Sequence, residues 1–296
     1  VSRIRLKALQ PCGCGRETVT THDRVRAALR VSVTLSLLLV MFFSSMVKAD
    51  GEEDRPSFSC YTDVLSQYIW RGYASSKDSA VIQPSVTASY KGLSINIWGN
   101  LDTDSKFKDN PSAGAKWNET DFTVAYSRSI YENLSGSVGC IYYDYALDST
   151  FGTNVDDLVE IYAGLSYAFP WLNVGVTGYR EVTHAPGWTI QFDFSRTFAL
   201  PWYGMSTNFD LSLFYLHSLD NAAYPNPSNP EEAFSGFMSG EVLAVLNIPV
   251  WKSVTFSPRL GYAFPISHSG SKEITLLSWD SRDWHIFGGL RISAAF

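Results

Sequence analysis

The 296-residue sequence predicts an all-β chain: a transmembrane antiparallel up-and-down β-barrel of about 12 strands, with short turns at one end and longer loops at the other. Three observations predict it. The chain ends in WHIFGGLRISAAF, where Trp284, Ile286, Leu290, Ile292, Ala294 and Phe296 share one face and Asp283, His285, Arg291 and Ser293 fall on the other. A period of two marks a strand whose faces meet different media. Alternating stretches of this kind recur from residue 58 to the end, and the connections between them are alternately short and long. Finally, aromatics make up 15% of the chain and glycine 21 residues, which suits strands, tight turns and interfacial belts. A mean hydropathy of −0.05 argues against a helical membrane protein.

The N-terminal 49 residues read as a leader rather than as part of the fold. Arg24, Arg26 and Arg30 precede an apolar run over 31–43, and Val47-Lys48-Ala49 offers a small-x-small cleavage pattern, which together make a secretory signal. That run falls short of the ~20 residues a spanning helix needs. Residues 1–23 fit neither signal nor domain and read as an over-extended start, the first methionine being Met41. Cys12 and Cys14 lie in this piece and lack the further ligands of a metal site. Residues 50–57 form a short periplasmic segment, and 58–296 form the barrel. Subtracting the leader's eight basic and two acidic residues from totals of 23 and 29 leaves 15 and 27, a net charge of −12. Such a balance disfavours nucleic acid as a partner. Cys60 and Cys140 are expected on non-neighbouring strands and hence unbridged.

The candidate strands are 58–71, 80–91, 93–104, 119–131, 134–147, 157–169, 172–182, 188–200, 204–217, 235–248, 253–266 and 283–296. KG (91–92), YEN (131–133), FPWL (169–172), LPWYG (200–204) and IPVWKS (248–253) are the tight connections. SSKDSA, SKFKDNPSAGAKWN, DSTFGTNVDD, THAPG, LDNAAYPNPSNPEEA and SHSGSKEITLLSWDS are the longer polar ones. This asymmetry is that of an outer-membrane barrel with its short turns in the periplasm. Pro170-Trp171, Pro201-Trp202 and Pro249 with Trp251 echo one another: proline ends a ladder because it has no donor, and Trp171, Trp202 and Trp251 are expected to anchor the headgroup layer. Arg128 and Arg196 fall on the apolar face just before such turns, where an arginine can snorkel.

A terminal aromatic on an alternating last strand resembles the signal read by the barrel-assembly machinery, and Phe296 carries it. SCYTDVLSQYIWRGYASSKDSAVIQPSVTASYKGLSINIWGNLD, residues 59–102, is similar to the opening of the TorF family of outer-membrane barrels, through the aromatic-x-Arg-Gly step Tyr68-Ile69-Trp70-Arg71-Gly72. The stretch departs from that pattern at Gln67 and Tyr73. What the resemblance implies is an outer-membrane barrel proposed as a pore, without an assigned substrate.

With the even-numbered face of the last strand outward, Asp63, Arg71, Asp102, Glu160, Asp193, Asp210, Glu241, Arg259, Asp283 and Arg291 are expected to line the lumen. A polar, mainly acidic lining suits water and solutes. It predicts a porin with mild cation preference, the alternatives being a plugged structural or adhesion barrel and a lipid-modifying enzyme. Arg259 and Arg291 are expected to meet at one height, neutralised by Asp63, with Glu241 approaching from the strand before. Against the enzyme, His217-Ser218 and His268-Ser269 are strand neighbours that point to opposite faces and cannot share a proton. Asp102, Asp104, Asp109, Asp148, Asp156 and Asp157 give acidic outer loops that match no calcium loop. No catalytic residue, metal or cofactor is expected. The partners implied are outer-membrane lipids and lipopolysaccharide, the assembly machinery, periplasmic chaperones, and small solutes or ions.

Deleting Phe296, or replacing it with Asp, is expected to lower outer-membrane yield far more than a change at Ala295. Equal yields on immunoblots of outer-membrane fractions refute the assembly-signal role.

Overall fold

Alternating sequence becomes strand from Ser57 onward in the computed structural model, which describes residues 55–105, 114–146 and 157–296. The expected leader and the acids Asp109, Asp148 and Asp156 lie outside the described residues. In chain order the strands are β1 (Ser57–Leu65), β2 (Ile69–Trp70), β3 (Tyr73–Ala74), β4 (Val81–Tyr90), β5 (Leu93–Asp102) and β6 (Lys116–Tyr131). They continue with β7 (Leu134–Tyr145), β8 (Leu158–Ala168), β9 (Asn173–Glu181), β10 (Gly187–Ala199), β11 (Ser206–Ser218) and β12 (Pro225–Asn226). The last are β13 (Asn229–Ala233), β14 (Ser235–Trp251), β15 (Val254–Pro265) and β16 (His285–Ala295), with helix α1 (His268–Leu277) before β16. Twelve of them close in the order β1-β16-β15-β14-β11-β10-β9-β8-β7-β6-β5-β4, so the first strand pairs with the last. Every neighbouring pair is antiparallel, and β2–β3 and β12–β13 are separate two-stranded hairpins.

Closure is made by β1 against β16. Asp63 stands opposite Arg291 and Leu65 opposite Gly289, and Phe58 and Phe296 exchange backbone hydrogen bonds of 2.8 and 3.1 Å beyond the last register pair. Val124, Ile161, Leu165, Phe209, Leu260, Ile286 and Ile292 are exposed on the outer face, while their strand neighbours point inward. An unbroken apolar band around a closed sheet has no place in water and is what lipid requires. The start of β1, the end of β16 and the five tight turns share one end of the barrel. Trp171, Trp202 and Trp251 project there, 65%, 60% and 77% exposed. Cys60 on β1 and Cys140 on β7 are free thiols.

Structure inside the longer connections departs from the expectation of polar loops. The first strand, expected to reach residue 71, stops at Leu65, and the chain turns inward as the hairpin β2–β3. Residues 219–233 contain the hairpin β12–β13, and 267–281 contain α1. The helix starts at Ser267, whose hydroxyl accepts the Gly270 N–H at 2.9 Å as an N-cap. It buries Gly270, Glu273 and Ile274, a three-to-four-residue spacing hidden by the surrounding serines. Likewise Asp283, expected on the last strand, precedes it: β16 begins at His285, and Asp283 accepts a hydrogen bond from Ser271 of α1 at 2.6 Å.

Gly289 permits the closing strands to approach. A Cβ built there would lie 1.9 Å from the Val64 carbonyl oxygen and 2.9 Å from Leu65 Cα, both backbone atoms with nowhere to go. Gly289→Val is expected to abolish the compact, heat-modifiable band in unheated gels, whereas Ala295→Val leaves it in place.

Candidate functional site

The inward face is a set of hydrogen-bonded polar ladders, because side chains excluded from lipid must be satisfied among themselves or by water. On β4, β5 and β6, Gln83 donates to Asn100 at 3.0 Å and Asn100 to Asn118 at 2.7 Å. Nearer the tight turns, Ser257 of β15 donates to Asn247 of β14 at 2.9 Å, and Asn247 donates to Asn208 of β11 at 3.1 Å. Asp193 of β10 accepts from Gln191 at 2.8 Å and from Ser212 of β11 at 2.6 Å, and Ser212 stands opposite Glu241 of β14 in the register.

At the closing seam Asp63 takes a two-pronged bond from Arg291, Nε to Oδ1 at 2.8 Å and Nη2 to Oδ2 at 2.6 Å. Arg259 Nη1 reaches the same carboxylate at 3.5 Å. One carboxylate therefore serves two guanidinium groups, and the fork geometry fixes the register of β1 against β16 as well as the charge balance. The Arg291 guanidinium also lies 3.7 Å from the Tyr61 ring centre.

A second ion pair crosses the lumen. Arg71 occupies the β2–β3 turn with φ 48°, followed by Gly72 with φ 93°, a two-residue turn whose second position favours glycine. Gly72 is also required by space, since a Cβ there would come within 2.3 Å of Ser239 Cβ on β14. From this tip Arg71 sends Nη1 to Glu160 Oε1 at 2.8 Å and Nη2 to Oε2 at 2.7 Å, on β8, while Ser239 Oγ donates to the Arg71 carbonyl at 2.6 Å. The Tyr143 hydroxyl donates to Glu160 at 2.7 Å, and the guanidinium packs 4.4 and 4.7 Å from the Trp70 and Tyr179 ring centres. β14 and β8 are separated in the barrel by β11, β10 and β9, so the hairpin tip bridges well-separated parts of the wall.

The loop end of the lumen carries an apolar layer. Tyr73 of β3, Leu216 of β11, Met238 of β14, Ile274 of α1 and Phe234 form one buried cluster, with Tyr224 and Leu277 against it. Leu65, Tyr68 and Val81 form another, flanked by Trp98. Trp70 packs against both and so joins the β4–β5 side to the β11–β14 side. The cap is stitched by the Ala74 N–H to Ser278 Oγ at 3.2 Å, the Trp279 N–H to the Ala74 carbonyl at 2.9 Å, and Gln67 to Asp280 at 3.1 Å. Burial pushes the Asp280 carboxyl up, but hydrogen bonds from His285 and Gln67 outweigh it and hold the group below its ordinary value.

The expected lining residues are therefore distributed unequally. Asp63, Arg259 and Arg291 meet at the seam, and Arg71 meets Glu160. Arg71 does so from a hairpin tip rather than from the first strand. Asp102 is buried at the loop end opposite Lys116. Glu241 forms no ion pair with Arg259 or Arg291 among the described residues, because the register sets Val245 opposite Arg259 and leaves Glu241 four residues up the strand, roughly 13 Å away. Asp283 leaves the wall altogether. Missed by the sequence reading are Glu119, which accepts from the Tyr68 hydroxyl at 3.4 Å, and Asp121. Alternation against the outward Phe122, Val124 and Tyr126 already placed both inside. His217 contacts Ser235 at 3.0 Å, while Ser218 donates to the Asp220 carbonyl at 2.9 Å, so the adjacent pair does not work together. His268-Ser269, expected at a strand rim, lies on the first turn of α1.

An apolar exterior, a closed ladder and a charged interior together define a membrane-spanning antiparallel β-barrel. No family model and no curated protein matches the chain. Among solved structures, the NanC porin aligns with a TM-score of 0.47 at 11% identity, covering 81% of this chain and 98% of that one. The KdgM porin gives 0.47 at 10%, covering 80% and 98%, and an anion-selective porin from Comamonas acidovorans gives 0.31 at 10%, covering 82% and 99%. Likenesses this distant carry no inference about what this chain does.

Asp63→Asn keeps the shape at the seam but leaves two arginines facing each other. Removing one partner of a buried ion pair costs a few kcal/mol, and with Arg291 retaining 29% exposure the expected loss is about 3 kcal/mol, at the low end. Urea unfolding followed by tryptophan fluorescence measures it.

Proposed function

We propose that the chain is exported by its N-terminal signal to the outer membrane of a Gram-negative bacterium and forms a pore there for small hydrophilic solutes or ions. The observation that carries this reading is the inversion of the barrel's two faces: hydrocarbon outside, and hydrogen-bonding and charged side chains inside. A barrel serving only as an anchor gains nothing from placing Asp193, Asp210, Glu241, Arg259 and Arg291 along its interior, since each ion must be solvated or paired. The TorF resemblance of residues 59–102 points the same way, and the Arg71-Gly72 turn it rests on is the one that enters the lumen.

A mild cation preference belongs to this reading. The ion pairs Arg71–Glu160 and Asp63–Arg291 cancel locally, Arg259 shares Asp63, and the only partly buried Asp193 and Asp210 leave a slight acidic excess. In a hydrated lumen such charges act across a Debye length of ~8 Å at physiological salt, so the preference is modest and fades as salt rises. The alternative, a plugged structural barrel, is favoured by the apolar cap and separates cleanly by experiment.

Planar-bilayer recordings of the refolded protein are expected to show discrete conductance steps and a reversal potential of cation-selective sign in a KCl gradient, weakened in Asp193→Asn/Asp210→Asn. Chloride-selective sign refutes the preference, and absence of current from a correctly folded barrel refutes the pore.

A further inference from the structure

The loop-end cap is built like a small protein core, with one exception. Helix α1 turns Gly270, Glu273 and Ile274 inward, and Glu273 is 0% exposed with neither carboxylate oxygen hydrogen-bonded. The next residue, Ile274, joins the apolar cluster with Tyr73 and Met238, and beside it an unpaired buried carboxylate is costly. None of the neighbouring elements supplies a counter-charge. The β2–β3 hairpin brings Tyr73 and Arg71, whose guanidinium is engaged by Glu160, the segment before β12 brings Tyr224, β14 carries Glu241, and β15 carries Arg259 and Tyr262, but none bonds to Glu273. Within α1, His268 and Lys272 are exposed. The remaining ionisable groups nearby are already engaged: Asp280 with His285 at 3.1 Å, and Asp283 with Ser271 at 2.6 Å.

We propose that the loop-end cap is a proton-operated gate and that Glu273 is its latch: protonated, it lets α1 rest in the mouth of the barrel; ionised, it drives α1 out into solvent. Burial pushes the Glu273 carboxyl from 4.5 up to about 7, so the seated helix binds the proton more tightly than the released one. The direction follows from linkage. Below pH 4.5 the group is neutral in both states and the seated state keeps its full stability. Between 4.5 and about 7 that stability falls as pH rises, and the loss levels off as pH passes through about 7. The ratio of the two proton affinities limits the change in the open-to-closed ratio to roughly 300-fold. Gln67, Ala74 and Asp280 tie the C-terminal end of the helix to the β2–β3 hairpin, so release pivots there, and the Arg71–Glu160 bridge stays behind on its own anchors. Control of current by this latch rests on the pore reading; movement of the helix does not.

Amide hydrogen exchange of residues 268–277 in the full barrel in lipid nanodiscs tests the latch, with rates corrected for intrinsic pH dependence. The opening ratio is expected to climb up to roughly 300-fold from pH 4.5 to 8 in the parent chain and to stay flat in the isosteric Glu273→Gln. A parent chain without this rise, or a Glu273→Gln chain with the same rise, overturns the proposal. Current recorded in parallel should rise with pH in the parent alone. A barrel that releases α1 with rising pH yet passes no current keeps the latch and overturns the pore reading. PH-independent current with unchanged exchange does the reverse.

Discussion

Closure of the hydrogen-bond ladder is the constraint on which the rest depends. Lipid offers no partner to a free N–H or carbonyl, so a sheet in a bilayer must meet itself. Here that obligation falls on β1 and β16, whose pairing runs from Leu65–Gly289 to Ser59–Ala295 and then to Phe58 and Phe296. A slip of one residue would turn every apolar side chain of β16 inward and every charge toward lipid. The Asp63–Arg291 fork penalises that slip from within, and Gly289 lets the backbones come close enough for the correct pairing.

Once the ladder is closed, the interior follows by exclusion. Residues between the lipid-facing ones must point inward whatever they are, so the lumen collects the chain's charges and amides. They survive there by pairing: amide with amide along Gln83, Asn100 and Asn118, carboxylate with guanidinium at Asp63 and Glu160. Conversely, the outward position of Arg196 is tolerable because it lies next to a tight turn, where Nη1 donates to the Pro170 carbonyl at 2.7 Å.

What could be read from sequence divides along the same line. The period-two pattern, the Pro-Trp turns and the inward parity of Asp193, Asp210, Arg259 and Arg291 are consequences of a wall with two solvents, and each is visible in a single stretch. The cap was not visible, because its apolar residues come from five separate places. Tyr73 and Phe234 sit singly in polar surroundings, Leu216 and Met238 look like ordinary inward strand positions, and Ile274 lies in a run of serine, lysine and threonine. No local periodicity announces a core assembled from single contributions. Extending the first strand to Arg71 was an error of the same kind. Tyr68-Ile69-Trp70 alternates well enough to pass for wall, and only Gly72, the residue type suited to a positive φ, marks the reversal.

The cap and the ion pairs also explain each other. An apolar layer inside a polar-lined barrel is best kept if it covers itself, and Trp70 accomplishes this by packing on both clusters at once. Trp70 is held there by the residue after it, because the Arg71 fork on Glu160 and the Ser239 bond to the Arg71 carbonyl tie that residue to two separate strands of the wall. Opposite charges placed across the lumen thus have a mechanical role in addition to an electrostatic one: they suspend a hydrophobic cap in a space lined for water. Such a suspension is tied where Arg71 is bonded, whereas α1 sets an unpaired carboxylate, Glu273, into the same cap. The proposed release of α1 would therefore leave the Arg71–Glu160 bridge in place, because that bridge is anchored on β8 and β14 and not on the helix.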